Sequence, residues 1–270
     1  MLAYKIEEKI NMIPLITKAM IINSKNKNFE TIKYGDSIKQ YYRFFMGEGN
    51  KATIVFIHGG GWWHGSPKTS SYIGSFFNKL GYNVVMIGYR LVPLYKYPTQ
   101  INDVFEALKT FINKESNIKD IVVIGFSAGG ELACNLVFNK EKQLEYSINK
   151  DLIKGLITFA GVLDFNKCTT RRARTLIECY IGDNKDYWNP IDLVNSEVNS
   201  KVMCVHGTKD QLIDIDNSIT FVDKVNEYGD NAKLVTIKGR HHSDIMSLFI
   251  NKGEKESKIV LDFIEMVCKR

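Results

Sequence analysis

The chain has 270 residues, 44 % of them hydrophobic and 24 % charged, with a formal net charge of +6. A chain of that length buries a sizeable core in one α/β domain, and without repeats, low-complexity tracts or an apolar run long enough for a bilayer it is neither fibrous, disordered nor membrane-spanning. The positive balance comes from dispersed lysines and a short cluster, Arg171, Arg172 and Arg174, which reads as a solvated face because no nucleic-acid module accompanies it.

From the N-terminus, Ile10 to Ile22 is apolar but interrupted by Pro14 and Lys18. Strand-like runs then fall near 41–46, 53–57, 84–88, 121–124, 155–160, 201–205 and 233–237. After the first, they alternate with helical stretches near 69–80, 99–113, 130–139, 218–228 and 256–268. That alternation predicts a largely parallel sheet covered on both faces. Between Asp164 and Val198 the rhythm breaks; a helix near 170–181 and a loop are expected to form a small cap with the N-terminal segment, about 10–30 and 165–198 in all.

The strand Ile121 to Ile124 runs straight into Gly125-Phe126-Ser127-Ala128-Gly129 and then into a helix. Small residues around Ser127 allow a sharp, strained turn that presents the hydroxyl above the sheet edge, with the amide of Ala128 aimed where negative charge develops in acyl transfer. Gly125, Ser127 and Gly130 also occupy the three places of G-x-G-x-x-G, with Glu145 downstream. Ser127 argues against that dinucleotide loop, because a pyrophosphate needs glycine at the middle place.

Upstream, Thr53 to Ile57 reads as a buried strand opening into His58-Gly59-Gly60-Gly61-Trp62-Trp63-His64-Gly65-Ser66. Consecutive glycines turn their amides inward without obstruction, so Gly60 and Gly61 are expected to join Ala128 in an oxyanion hole. A phosphate loop is excluded by the missing G-K-[ST] ending. Trp62 and Trp63 are candidates to line an acyl or alcohol pocket, or to pack.

Downstream, Lys201 to Val205 leads into His206-Gly207-Thr208-Lys209-Asp210, which puts Asp210 just past a strand's carboxyl end, on the rim where α/β sheets bind ligands. Asp214 and Asp216 stand nearer the next helix, where acidic residues favour its N-terminus. The last strand, Lys233 to Ile237, delivers His241 and His242, either of which can serve as general base. Triad geometry alone does not choose between them. Glu131 falls in the first turn of the helix after Ser127, where an acid either favours the dipole or touches the site.

These segments resemble the microbial α/β-hydrolase esterases of the hormone-sensitive-lipase-like and feruloyl/acetyl-xylan-esterase-like groups over nearly the whole chain. Tyr34-Gly35-Asp36 with Gln40 looks like the entry strand, HGGGWWHGS the oxyanion loop, Tyr89-Arg90-Leu91-Val92-Pro93 the Y-R-L-x-P segment, GFSAGGELA the nucleophile elbow and HGTKD the acid turn. The resemblance implies an α/β-hydrolase fold and, through G-x-x-H starting at Gly239, His242 as the base. Phe126 and Glu131 depart from the usual Asp and from the usual Asn or His at their places.

The expectation is therefore a cofactor-independent carboxylic-ester hydrolase with Ser127, Asp210 and His242 as catalytic residues and Gly60, Gly61 and Ala128 as oxyanion donors. Short acyl chains are expected because no large lid domain is evident. The rivals are an amidase or arylformamidase using the same residues and a hydrolase-like binding protein without turnover. The five histidines lack a ligand-spaced carboxylate or cysteine set, so no metal is expected. Five cysteines, odd in number and without C-x-x-C spacing, and no leader pattern at the start point to a cytoplasmic chain acting on a small ester, without nucleic acid or a membrane span.

Overall fold

The computed structural model describes every residue except 1, 26–27, 49–50, 116–117, 196–199, 230, 251–254 and 270, with backbone only for 2–12. Parts of the predicted cap, at 26–27 and 196–198, thus lie outside the described residues. Eight strands form one sheet: β1 (Glu30–Lys33), β2 (Tyr41–Phe45), β3 (Thr53–Ile57), β4 (Asn83–Ile87), β5 (Ile121–Phe126), β6 (Ile153–Phe159), β7 (Lys201–Gly207) and β8 (Ala232–Ile237). Their order is β1-β2-β4-β3-β5-β6-β7-β8. β2 pairs antiparallel with β1 and β4, whereas β4 to β8 pair in parallel.

The chain order reverses between β3 and β5, because β4 lies on one side of β3 and β5 on the other. Such a switch point opens a crevice at the strands' carboxyl ends. The loops that leave there carry the glycine run after Ile57 and the serine turn after Phe126.

β3, a run of β-branched and aromatic residues, is buried on both faces, as a central parallel strand must be. Val55 and Ile57 belong to the core on one face, and Ile54 and Phe56 to the core on the other, following the two-residue period of a strand. The first core takes in α3 (Thr99–Lys114), α4 (Ala128–Phe138) and α7 (Asp216–Asn226) through Val104, Leu132 and Phe221. The second is closed by α2 (Ser71–Asn78) and α8 (Lys255–Val267) through Phe77 and Phe263.

The helices predicted near 69–80, 99–113, 130–139, 170–181, 218–228 and 256–268 are all present, the fourth as α6 (Arg171–Ile181). A short α5 (Lys140–Glu145), capped by the Asn139 side chain on the Lys142 amide, and the edge strand β1 had not been read from the residues. Tyr34 to Gln40 is a turn and not the entry strand of the family pattern: the Tyr34 amide donates to the Gln40 carbonyl and the Ser37 amide to Gln40 Oε1, folding the segment on itself.

The apolar stretch from Ile10 to Ile22 lies within one helix, α1 (Leu2–Lys25), which contains Pro14 and packs against α2 and the 3-10 turn Asp244–Phe249. Asn23 fastens its end by donating to the carbonyls of Lys68 and Thr69. Among the described residues no helix is long and apolar enough to cross a membrane.

Candidate active site

Ser127 sits between β5 and α4 with φ 53 and ψ −120, a left-handed conformation that an L-residue holds only when its surroundings impose it. Its amide donates to the Phe159 carbonyl at the end of β6, and its own carbonyl receives the amides of Gly130 and Val162. The turn tolerates no side chain at Gly129, where a Cβ would run into the Ile57 carbonyl. The strand-turn-helix sequence thus aims the hydroxyl over the switch point.

Asp210 and His242 reach the same place because the turns after β7 and β8 are laced together. The amides of Thr208 and Lys209 donate to the carbonyls of Ile237 and Arg240, and Gly239 donates to the Thr208 hydroxyl. His242 Nδ1 lies 2.7 Å from Asp210 Oδ2, and its Nε2 lies 2.9 Å from Ser127 Oγ. An ionised carboxylate only accepts, so the proton sits on Nδ1 and leaves Nε2 to receive the serine O–H. The backbone amide of the neighbouring His241 donates to Asp244 Oδ1 at 2.6 Å.

The carboxylate is heavily provided with donors. Oδ1 accepts from the amides of Leu212 and Ile213 at 2.8 and 3.0 Å, and Oδ2 faces His206 Nε2 at 3.3 Å as well as His242. Burial alone pushes the Asp210 carboxyl up, but the two imidazoles and their hydrogen bonds outweigh it and hold the group well below the usual carboxylate range. Asp214, expected to serve the helix N-terminus, instead accepts the amide and hydroxyl of Thr169 and so ties down the segment before α6.

The glycine loop bends tightly, with the amides of Trp63 and His64 both donating to the Gly60 carbonyl. Gly60 adopts φ 120, where a Cβ would strike the backbone of His64, so only glycine fits. Among the described residues none accepts a hydrogen bond from the amides of Gly60, Gly61 or Ala128, which leaves all three available to a ligand oxygen. Beneath the loop, His58 stacks on Tyr89 at 4.2 Å and its Nδ1 meets the Gly59 carbonyl at 2.8 Å; burial pulls the imidazole down to about 4, keeping it neutral.

Trp62 does not line a pocket. It is 1 % exposed, stacks on Tyr180 of α6 with centroids 4.1 Å apart and planes 4° from parallel, and donates its indole N–H to Glu131 Oε2 at 3.2 Å. Trp63, at 41 % exposed, faces solvent. Glu131 is wholly buried, which rules out a simple dipole role at the surface: Tyr180 Oη lies 3.3 and 3.2 Å from its two oxygens, and Asn135 Nδ2 donates to Oε1 at 2.8 Å. Burial pushes the Glu131 carboxyl up to about 8, against the pull of the Trp62 and Tyr180 hydrogen bonds.

Phe126, the other departure from the family pattern, packs its ring 5.3 Å from that of His242. Neither Tyr180 nor the second donor on Asp210, His206, was singled out from the residues. In the sequence His206 reads as the first residue of the HGTKD turn after the strand, and nothing local marks Tyr180 as a neighbour of Trp62.

The BD-FAE family profile matches residues 42–225, more than half of the chain. Neutral cholesterol ester hydrolase 1 of Bos taurus is 39 % identical over 128 residues, which cover 43 % of this chain and 31 % of that protein. The kynurenine formamidase of Meyerozyma guilliermondii is 29 % identical over 142 residues, 50 % of this chain and 53 % of that one. The chain therefore spans only about a third to a half of the length of these curated relatives. Among solved structures, esterase B from Lactobacillus rhamnosis superposes with a TM-score of 0.75 at 17 % identity, covering 98 % of this chain and 94 % of that one, a likeness of fold. The sheet order, the switch-point loops and the matched profile agree with the resemblance carried by the motifs: the chain belongs to the BD-FAE family and has the α/β-hydrolase fold of the esterases.

Proposed function

We propose that this chain is a carboxylic-ester hydrolase acting through an acyl-enzyme intermediate. Ser127 Oγ attacks the acyl carbon while His242 Nε2 takes its proton; Asp210 holds the Nδ1–H tautomer and stabilises the imidazolium. The amides of Gly60, Gly61 and Ala128 receive the oxyanion, each such donor contributing roughly 3 to 4 kcal/mol in the transition state. His242 then protonates the leaving alcohol, and water, activated by the same imidazole, releases the acid.

The observation that carries the reading is the unbroken row from Ser127 Oγ through His242 to Asp210, at 2.9 and 2.7 Å. We take the whole chain as one catalytic domain needing no cofactor. Its small cap is supplied by α6 and the following loop, with α1 bordering the turn that carries His242: Pro14 and Leu15 line a cavity together with Gly239 and Arg240. Short acyl chains are favoured because α6 lies directly on the oxyanion loop, Leu176 against Gly61 and Tyr180 on Trp62, in place of a large lid. Five unpaired cysteines support a reducing, cytoplasmic setting.

A second reading, an amidase or arylformamidase, is favoured by the similarity to the kynurenine formamidase. A panel of p-nitrophenyl acetate, butyrate and octanoate beside N-formylkynurenine and small anilides separates the two. Rapid ester turnover with a fall from acetate to octanoate supports the proposal, and negligible ester turnover beside rapid amide turnover replaces it. Fluorophosphonate labelling lost in Ser127→Ala identifies the nucleophile; an unlabelled wild-type chain points to a binding protein.

A further inference from the structure

Glu131 lies one helical turn after Ser127, and its carboxyl is fully buried with no lysine or arginine partner among the described residues. Burying such a group is costly unless it is hydrogen-bonded, and three donors converge on it: the Trp62 indole, the Tyr180 hydroxyl and the Asn135 amide. These come from three separate elements. Asn135 belongs to α4 itself, Tyr180 to α6, and Trp62 to the glycine loop immediately after Gly61.

Trp62 is also the residue through which the loop is clamped. Its φ is 60, its carbonyl receives the Val92 amide at 3.1 Å, and its ring lies flat on Tyr180. Gly60 and Gly61 have no side chains to fix their peptide planes. What orients them is the anchoring at either end, the doubly accepting Gly60 carbonyl on one side and Trp62 on the other.

We propose that Glu131 is a positioning residue of the oxyanion loop: by holding the Trp62 indole and the Tyr180 hydroxyl from the first turn of the serine's own helix, it sets the Gly60 and Gly61 amides relative to Ser127 and locks α6 over them. This rests on the reading of Gly60 and Gly61 as oxyanion donors. Preorganised donors lose most of their effect when displaced, since their contribution depends on meeting the developing charge without rearrangement.

Two measurements test it. In Glu131→Gln and in Trp62→Phe, kcat for p-nitrophenyl acetate is expected to fall about 10- to 100-fold with KM within about twofold, the double variant being no slower than the slower single one. Wild-type kcat in a folded single variant, or losses that multiply in the double variant, overturns the proposal. Should Glu131→Gln not fold, Trp62→Phe carries the kinetic test, because it removes the indole donor and keeps a ring on Tyr180.

The second measurement needs no turnover. The chain has three tryptophans, so Trp63→Phe with Trp188→Phe leaves Trp62 as the only indole. Its emission should show a transition near pH 8 as Glu131 ionises, abolished by Glu131→Gln. Tyr89, Tyr97, Tyr180 and Cys134, the other titratable groups around the carboxyl, are all pushed up by burial and stay neutral through that range. A transition that persists in Glu131→Gln overturns the coupling. A wild-type chain inert towards esters that still shows the Glu131-dependent transition removes the ester reading and keeps the coupling.

Discussion

His206 Nε2 stands 3.3 Å from Asp210 Oδ2, the oxygen that also receives His242 Nδ1. Ser218 Oγ lies 2.8 Å from His206 Nδ1 and the Ile213 carbonyl lies 3.0 Å from Nε2, so the ring carries its proton on Nε2 and is fixed by three partners. The strand residue four places before the acid thus holds it. In His206→Ala, kcat/KM should fall about 10-fold, the worth of one hydrogen bond to a charged group, and the melting transition should drop as Ser218 and the Ile213 carbonyl lose their partner. Ester kinetics and thermal denaturation read both; unchanged kinetics would show that Asp210 keeps its place without His206.

Only His242 of the adjacent pair meets Ser127 and Asp210. His242→Ala should reduce kcat by about 10⁴-fold or more, whereas His241→Ala should stay within about 10-fold, because members of a triad act as a unit and a neighbour does not. Single-turnover hydrolysis of p-nitrophenyl acetate by the two variants separates them. Equal losses would contradict the assignment.

The buried Glu131 makes stability depend on pH in a definite direction. Its carboxyl is raised from an ordinary 4.5 to about 8 in the folded chain, so between those values the folded state keeps a proton that the unfolded state releases. The contribution is whole below 4.5, declines by at most about 1.4 kcal/mol per pH unit and is gone once the pH passes 8. Glu131→Gln has no such proton. Urea midpoints measured from pH 5 to 8 should therefore converge on, or cross to favour, the variant as pH rises, and parallel profiles would refute the ionisation.

Gly60 and Gly61 adopt φ 120 and φ 59, but they differ in what an added methyl meets. At Gly60 it meets the His64 backbone; at Gly61 it meets the end of the Leu176 side chain at 2.9 Å. Gly60→Ala should cost about 3 kcal/mol or more of stability, and Gly61→Ala about 1 to 2, since a leucine end can shift and a backbone carbonyl cannot. Chemical denaturation ranks them. Leu176→Ala in the Gly61→Ala background should recover part of the loss.

The local motifs were legible because each is a short-range demand on the backbone. A buried β-branched run that ends in Gly125-Phe126-Ser127-Ala128-Gly129 has few conformations open to it, and Gly60 and Gly61 suit the positive φ they adopt. The two-residue and helical periods likewise announced β2 to β8, α2 to α4 and α6 to α8. Less could be read at the edge, where β1 is four mostly exposed residues whose only signature is its pairing with β2, and in α1, where Pro14 argues against the helix that tertiary packing on α2 permits.

Residue order alone pointed to a serine, an aspartate and a histidine emerging in that order from three strand ends of an α/β sheet, those of β5, β7 and β8. Tertiary structure decided which histidine arrived, since the choice between neighbours depends on the lacing of the β7 and β8 turns, and Ser127 and His242 are 115 positions apart. It also decided the meaning of Glu131, which in the sequence is an ordinary first-turn acid. Only the docking of α6 and the glycine loop onto α4 excludes water from that carboxyl and adds the Tyr180 and Trp62 donors to the local one from Asn135, because burial and hydrogen bonding between distant segments leave no trace in local pattern.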